Sequence, residues 1–117
     1  MSMNLRYLIT VVVLAACESP NRIPEDVLGV DKMKVIVWDL TRADALAKER
    51  YYDDTVKLKA EATGLFNRVF GFHGITKEQF YHSYNFYKDH PQFNQRLMDS
   101  VTSYANKRRD SLFRDYR

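Results

Sequence analysis

An all-α fold, a small bundle of about four helices, is what this chain of 117 residues predicts. Three observations carry that reading. Apolar residues recur at three- and four-residue steps over four separate windows, which is the period of an amphipathic helix. Between the windows stand residues that stop or start helices, namely Asp53-Asp54-Thr55, His73-Gly74-Ile75-Thr76 and His90-Pro91. These breaks are short, so consecutive helices must lie side by side.

Ahead of the bundle the chain opens with a segment of another kind. Asn4 and Arg6 make a weakly basic start, and residues 7–14 form an apolar run. That run is far shorter than the roughly 20 residues a membrane-spanning helix needs. It closes on Leu14-Ala15-Ala16-Cys17, small residues in front of the sole cysteine. The arrangement resembles the signal peptide of bacterial lipoproteins. The resemblance implies that residues 1–16 are removed, that the sulfur of Cys17 takes a diacylglyceryl group, and that its new amino terminus takes a further acyl chain such as palmitate. Two or three chains, each gaining about 0.8 kcal/mol per buried methylene, hold a protein at a bilayer for as long as a cell needs it there. Acylation consumes the only thiol, so disulfides, cysteine-ligated metals and a cysteine nucleophile are excluded. Residues 17–30 then read as acylated cysteine and tether, the stretch Glu18-Ser19-Pro20-Asn21-Arg22 spanning about 20 Å when extended.

Residues 31–117 are the expected helical domain, of a size that supports one core. In the lead-in Ile23-Pro24-Glu25-Asp26-Val27-Leu28, Pro24 can open a turn that Gly29 ends. Asp31 is placed to cap a first helix whose stripe is Met33, Ile36, Val37, Leu40, Ala43 and Ala47. Val35-Ile36-Val37-Trp38 has the β-branched content of a strand, but the helical period continues to Ala47 and decides for helix. Asp53-Asp54-Thr55 offers caps for a second helix with the stripe Leu58, Ala62, Leu65, Phe66, Val69 and, as a further candidate, Phe72. That helix ends at His73-Gly74, where glycine can turn left-handed. Gly64 and Gly71 inside it cost about 1 kcal/mol each relative to alanine, which implies a close neighbour or a weakened last turn.

Thr76-Lys77-Glu78-Gln79 fits the capping box, with Ile75 placed to staple onto Phe80. The third helix is expected to carry Phe80, Tyr84 and Tyr87 on one face and to stop near Asp89-His90, because Pro91 disfavours helical geometry in the residue before it. Pro91 itself can start a fourth helix with the stripe Phe93, Leu97, Val101, Tyr104 or Ala105, and Leu112.

With these residues in view, Gly74-Ile75-Thr76, Phe80, Ser83, Tyr87 and His90-Pro91 resemble the centre of domain-of-unknown-function family 4296, small lipoproteins of the Bacteroidetes group. Ile23-Pro24, Asp31-Lys32-Met33, Asp39-Leu40 and Ala43-Asp44-Ala45 are similar too. The family pattern there is Asp-Leu-His-Leu-Ala-Glu-Ala, and this chain has Thr41-Arg42 for His-Leu and Asp44 for Glu. The resemblance spans residues 23–101 and implies a helical, lipid-anchored protein of the cell envelope, at the outer membrane. No catalytic or ligand-binding residues come with it.

Charge and motif content narrow the chemistry. The net charge of +3 is spread among alternating acids and bases, which gives no nucleic-acid signature. His73, His82 and His90 lack the i, i+4 spacing that sets two imidazoles on one turn, so neither a metal nor a cofactor is expected. Asp39, three residues before Arg42, reads as one half of a structural ion pair or hydrogen bond. Serine-nucleophile, phosphate-loop and zinc-protease motifs are absent, and no catalytic residue is assigned. Phe80, Tyr81, Tyr84, Phe86 and Tyr87 encircle their helix, so some rings must stay exposed, with Tyr81 and Phe86 the candidates for a partner surface. Lys107-Arg108-Arg109 with Arg114 and Arg117 makes a basic helical end, in which Arg108 and Arg109 could meet an acidic partner or anionic headgroups. The reading that follows is a membrane-tethered, non-enzymatic binding or structural module for another envelope protein. The alternatives are an enzyme or small-ligand carrier whose interhelical pocket gathers Asp39, His82 and Tyr84, and a structural element lying on the lipid surface.

Overall fold

The computed structural model describes residues 22–116, so Leu14, Ala15, Ala16 and Cys17 lie outside the described residues. Four helices follow in order: α1 (Val30–Arg50), α2 (Thr55–His73), α3 (Lys77–Asp89) and α4 (Pro91–Asp115). No strand occurs among the described residues. The all-α bundle expected from periodicity is therefore the fold.

The centre of the bundle is α1, which packs on α2 along one flank and on α4 along the other, while α2 and α4 make no close backbone approach to each other. Its buried stripe is Met33, Ile36, Leu40, Ala43 and Ala47. Val37 is half-buried at the edge of that stripe. The helix begins two residues earlier than the capping argument placed it. Gly29 occupies the cap position without a side-chain bond, and Asp31 instead pairs with Lys34 at 3.0 Å within the first turn. A carboxylate one position inside the helix still meets the positive end of the helix dipole, so its charge is well placed although it caps nothing.

At the start of α2, Asp54 accepts from the backbone N–H of Lys57 at 3.0 Å, as expected of a cap. The stripe is shifted. Leu58, Ala62, Leu65, Phe66 and Val69 are only half-buried, the fully enclosed side chain is Phe70, and Phe72 is 84% exposed. Phe70 follows Phe66 by four residues and stays on its face, whereas Phe72 lies about 200° around the helix from Phe70. At the end of α2, Gly74 has φ 65°, its N–H bonds to Gly71 O at 3.1 Å, and the N–H of Ile75 bonds to Phe70 O at 3.1 Å. This double closure is the Schellman motif, and only glycine reaches that φ without strain.

Gly64 and Gly71 stand in open space, with no atom within 4 Å of where a Cβ would be. A close neighbour is thus not what keeps them there. Gly64→Ala is accordingly expected to stabilise the domain by about 0.5–1 kcal/mol, and Gly74→Ala to destabilise it by about 1–2 kcal/mol because of its left-handed backbone. Midpoints of urea unfolding for the two variants should move in opposite directions.

The turn into α3 carries the complete capping box. Gln79 N–H donates to Thr76 Oγ1 at 3.1 Å and Thr76 N–H donates to Gln79 Oε1 at 2.9 Å. Ile75 and Phe80 both join the core, as the staple requires. The buried face of α3 is Phe80, Ser83 and Tyr87, not Phe80, Tyr84 and Tyr87; Tyr84 is 42% exposed. The reason lies outside the helix. The lead-in crosses α3, where Leu28 N–H donates to Ser83 Oγ at 2.9 Å and Tyr87 OH donates to Leu28 O at 2.8 Å. Both backbone polar groups of Leu28 find their partners on α3, which an aromatic ring at position 83 could not provide. Residues 23–28 are thus part of the folded domain, with Val27 in the core and Ile23 and Leu28 packed against it.

His90 links α3 directly to α4, and Pro91 takes the first helical position. Phe93 and Leu97 enter the core and Val101 packs on its edge. Leu112, expected on the same stripe, is 63% exposed. α4 runs beside α1 in the same sense, Lys34 facing Ser103 and Lys107, and Arg42 facing the last turns. Tyr104 and Ala105 are half-buried, and beyond them Trp38 and Arg42 of α1 and the last turns of α4 line a cleft where the stripe would have closed.

Candidate functional site

The polar side chains that the sequence marks for chemistry, Asp39 and the three histidines, each make a contact within the fold. Asp39, on α1, receives the Nε2–H of His73 at the end of α2, across 2.7 Å. The pairing with Arg42 expected from spacing is replaced by this contact between helices, which ties the end of α2 to the middle of α1. His82 contacts Asp26 of the lead-in at 2.8 Å. His90 places Nδ1 at 2.7 Å from Phe86 O and stacks its ring on Phe86 with centroids 4.1 Å apart. The three histidines therefore serve three different junctions. Among the described residues no group of three or more His, Cys, Asp or Glu is placed to hold a metal ion.

The interhelical pocket imagined for Asp39, His82 and Tyr84 is not formed by those residues. Asp39 lies at the junction of α1 and α2, His82 faces the lead-in, and Tyr84 stacks on Phe80 at 5.9 Å. The clefts between α1 and α4, between α2 and α3 and between α1 and α2 are lined by other residues.

Of the rings on α3, Tyr81 is 40% exposed and has Lys77 Nζ 5.9 Å from its centroid. It borders a small cleft of about 280 Å³ between α2 and α3, together with Phe66, Phe70 and Lys77. Phe86 is half-buried and packs on Phe93 at 5.6 Å. Five residues apart, Tyr81 and Phe86 point about 140° away from each other around the helix. They do not form one patch. Ser83 and Tyr87 fill the inner face between them, and burial pushes the Tyr87 phenol above its ordinary value of 10.0.

Arg108 and Arg109 have a more definite setting. They border a cleft of about 610 Å³ between α1 and the last turns of α4, which Trp38 and Arg42 enter from α1 and Leu112 and Phe113 from α4. Arg109 Nε sits 3.6 Å from Asp110 Oδ1. Leu112, Phe113 and Tyr116 are 63%, 67% and 90% exposed, a run of apolar side chains along a helix that is otherwise polar. The Nε1–H of Trp38 is buried without an acceptor among the described residues. Trp38 and Arg42 were missed as site residues because Arg42 had been read only as a partner for Asp39. Their own signal was a one-turn separation on the flank of α1.

No helix among the described residues is long and apolar enough to cross a membrane. Compared with known families, the chain matches, over residues 24–111, the family model described as a domain of unknown function, DUF4296. No curated protein and no solved structure matches it.

Proposed function

Since the chain belongs to the domain-of-unknown-function family DUF4296, we propose that this family domain is carried at the cell envelope on a lipid anchor and acts there as a non-enzymatic binding module for another envelope protein. One observation carries the reading. Leu14-Ala15-Ala16-Cys17 closes a short apolar run only five residues before the first core-packed residue, Ile23. Acyl chains on Cys17 would hold the domain within about 20 Å of a bilayer, most plainly the outer membrane, with no need for a spanning helix. The dispersal of Asp39, His82 and Tyr84 among separate junctions supports binding over catalysis, because acid–base chemistry needs such groups to converge.

The test is labelling in bacterial cells that produce the full chain, using an alkyne analogue of palmitate. The chain should take the label and sediment with membranes, whereas Cys17→Ser should lose the label and fall at least tenfold in the membrane fraction. A labelled Cys17→Ser protein, or an unlabelled native chain that stays soluble and retains Met1, would overturn the anchor. A photo-crosslinking residue at Tyr81 then tests the partner, and capture of lipid alone would remove the protein-binding role.

A further inference from the structure

The cleft between α1 and the end of α4 combines two properties, apolar walls and a cationic border. Its walls are apolar, built from the indole of Trp38 and the side chains of Leu112 and Phe113. Its border is cationic, with Arg42 from one helix and Arg108 and Arg109 from the other. Its volume of about 610 Å³ falls inside the range of roughly 300–1,000 Å³ usual for small-molecule sites. Arg42 and Arg108 make no ion pair with a carboxylate among the described residues, and Arg109 reaches Asp110 through Nε alone. Guanidinium groups with free donors match carboxylate and phosphate oxygens in a bidentate manner.

We propose that this cleft binds a single-chain anionic amphiphile, one acyl chain lying along Trp38, Leu112 and Phe113 with a carboxylate or phosphate head held by Arg42, Arg108 and Arg109. Charge complementarity selects the occupant. A neutral hydrocarbon would leave Arg42 and Arg108 without counter-charge, and a short acidic peptide without apolar side chains would leave the apolar walls uncovered. A flat bilayer surface contacts only the border of a concave cleft and does not fill it. The site is independent of the anchor at Cys17 and of the protein partner proposed for the domain.

Trp38 is the only tryptophan of the chain, so its fluorescence reports on this cleft alone. The test uses the full chain with Cys17→Ser, titrated with 9,10-dibromostearate below its micellar concentration, since bromine quenches an indole only on contact. Saturable quenching is expected, reversed by excess oleate or lysophosphatidate, whichever head group the arginines prefer. The neutral dibromostearyl alcohol should need at least about tenfold more for the same effect, as should the Arg108→Glu/Arg109→Glu variant, given the strength of charge-assisted hydrogen bonds. Phe113→Ser should weaken binding without altering the preference for the acid over the alcohol, and Tyr52→Ala, exposed between α1 and α2, should change nothing. Quenching that rises linearly, is matched by the alcohol, or survives the double charge reversal would overturn the proposal. So would quenching by vesicles of brominated phosphatidylcholine that neither competitor reduces, which would mean contact with a bilayer surface.

Discussion

Tyr87→Ala is expected to be among the most destabilising single substitutions in the domain, lowering its stability by about 3–5 kcal/mol. Tyr87 is the largest fully buried side chain and joins α3, α4 and the lead-in at one point. Removing a buried aromatic ring costs about 3–5 kcal/mol, against a total stability of roughly 5–15 kcal/mol for a domain of this kind. Far-ultraviolet circular dichroism and the urea midpoint read the loss. Tyr87→Phe separates the ring from its hydroxyl: the packing remains, but Leu28 O loses its donor, at a cost of about 1–3 kcal/mol.

The same phenol makes stability depend on alkali. Burial raises its pKa above 10.0 in the folded state, so the folded protein holds the proton more tightly than the unfolded chain does. The resulting contribution is fully present below about pH 10 and is lost as pH rises from there through the higher folded value. Urea midpoints measured from pH 8 upward should fall on passing pH 10, and this part of the fall should be missing in Tyr87→Phe. An equal fall in both proteins would show that Tyr87 does not govern the alkaline transition.

Ser83→Leu is the second substitution with a large expected effect. The side chain is fully buried and its oxygen accepts the Leu28 N–H across 55 positions of sequence. Overpacking costs about 1–3 kcal/mol, and the orphaned N–H adds about 1–3 kcal/mol more. Tyr84→Ala, one residue further on, removes a much larger side chain yet should cost only about 1 kcal/mol, because it loses little beyond its stacking on Phe80. Thermal unfolding of the pair checks this directly: if the serine variant melts later than the tyrosine variant, the assignment of inner and outer faces on α3 is wrong.

This pair also shows which features were legible in the sequence. Helix boundaries from the start of α2 onward were, because they are written in local chemistry: Asp54 as a cap, the reciprocal bonds of Thr76 and Gln79, the left-handed Gly74, and Pro91 at a first position. The stripe of α1 was legible for the same reason, its buried positions keeping the helical period from Met33 to Ala47. The inner face of α3 was not. Steps of three and four residues fit periodicity equally well, and hydrophobicity favours Tyr84 over Ser83 unless the crossing of the lead-in is known. Phe70 and Phe72 posed the same choice on α2, settled by tertiary packing. The candidate site was half legible, in that Arg108 and Arg109 stood out as a basic helix end. Their neighbours Trp38 and Arg42 lie more than sixty residues away, and only the parallel course of α1 and α4 brings the four together.

The fastening of the lead-in to α3 has a mechanical meaning as well. Three side chains of that helix, His82, Ser83 and Tyr87, grip Asp26 and both polar groups of Leu28. A pull applied at residue 22 would load these three bonds in shear together, before any of it reached the end of α1. The lead-in and α3 would then move together as one unit, and the load would spread across both before α1 began to unwind.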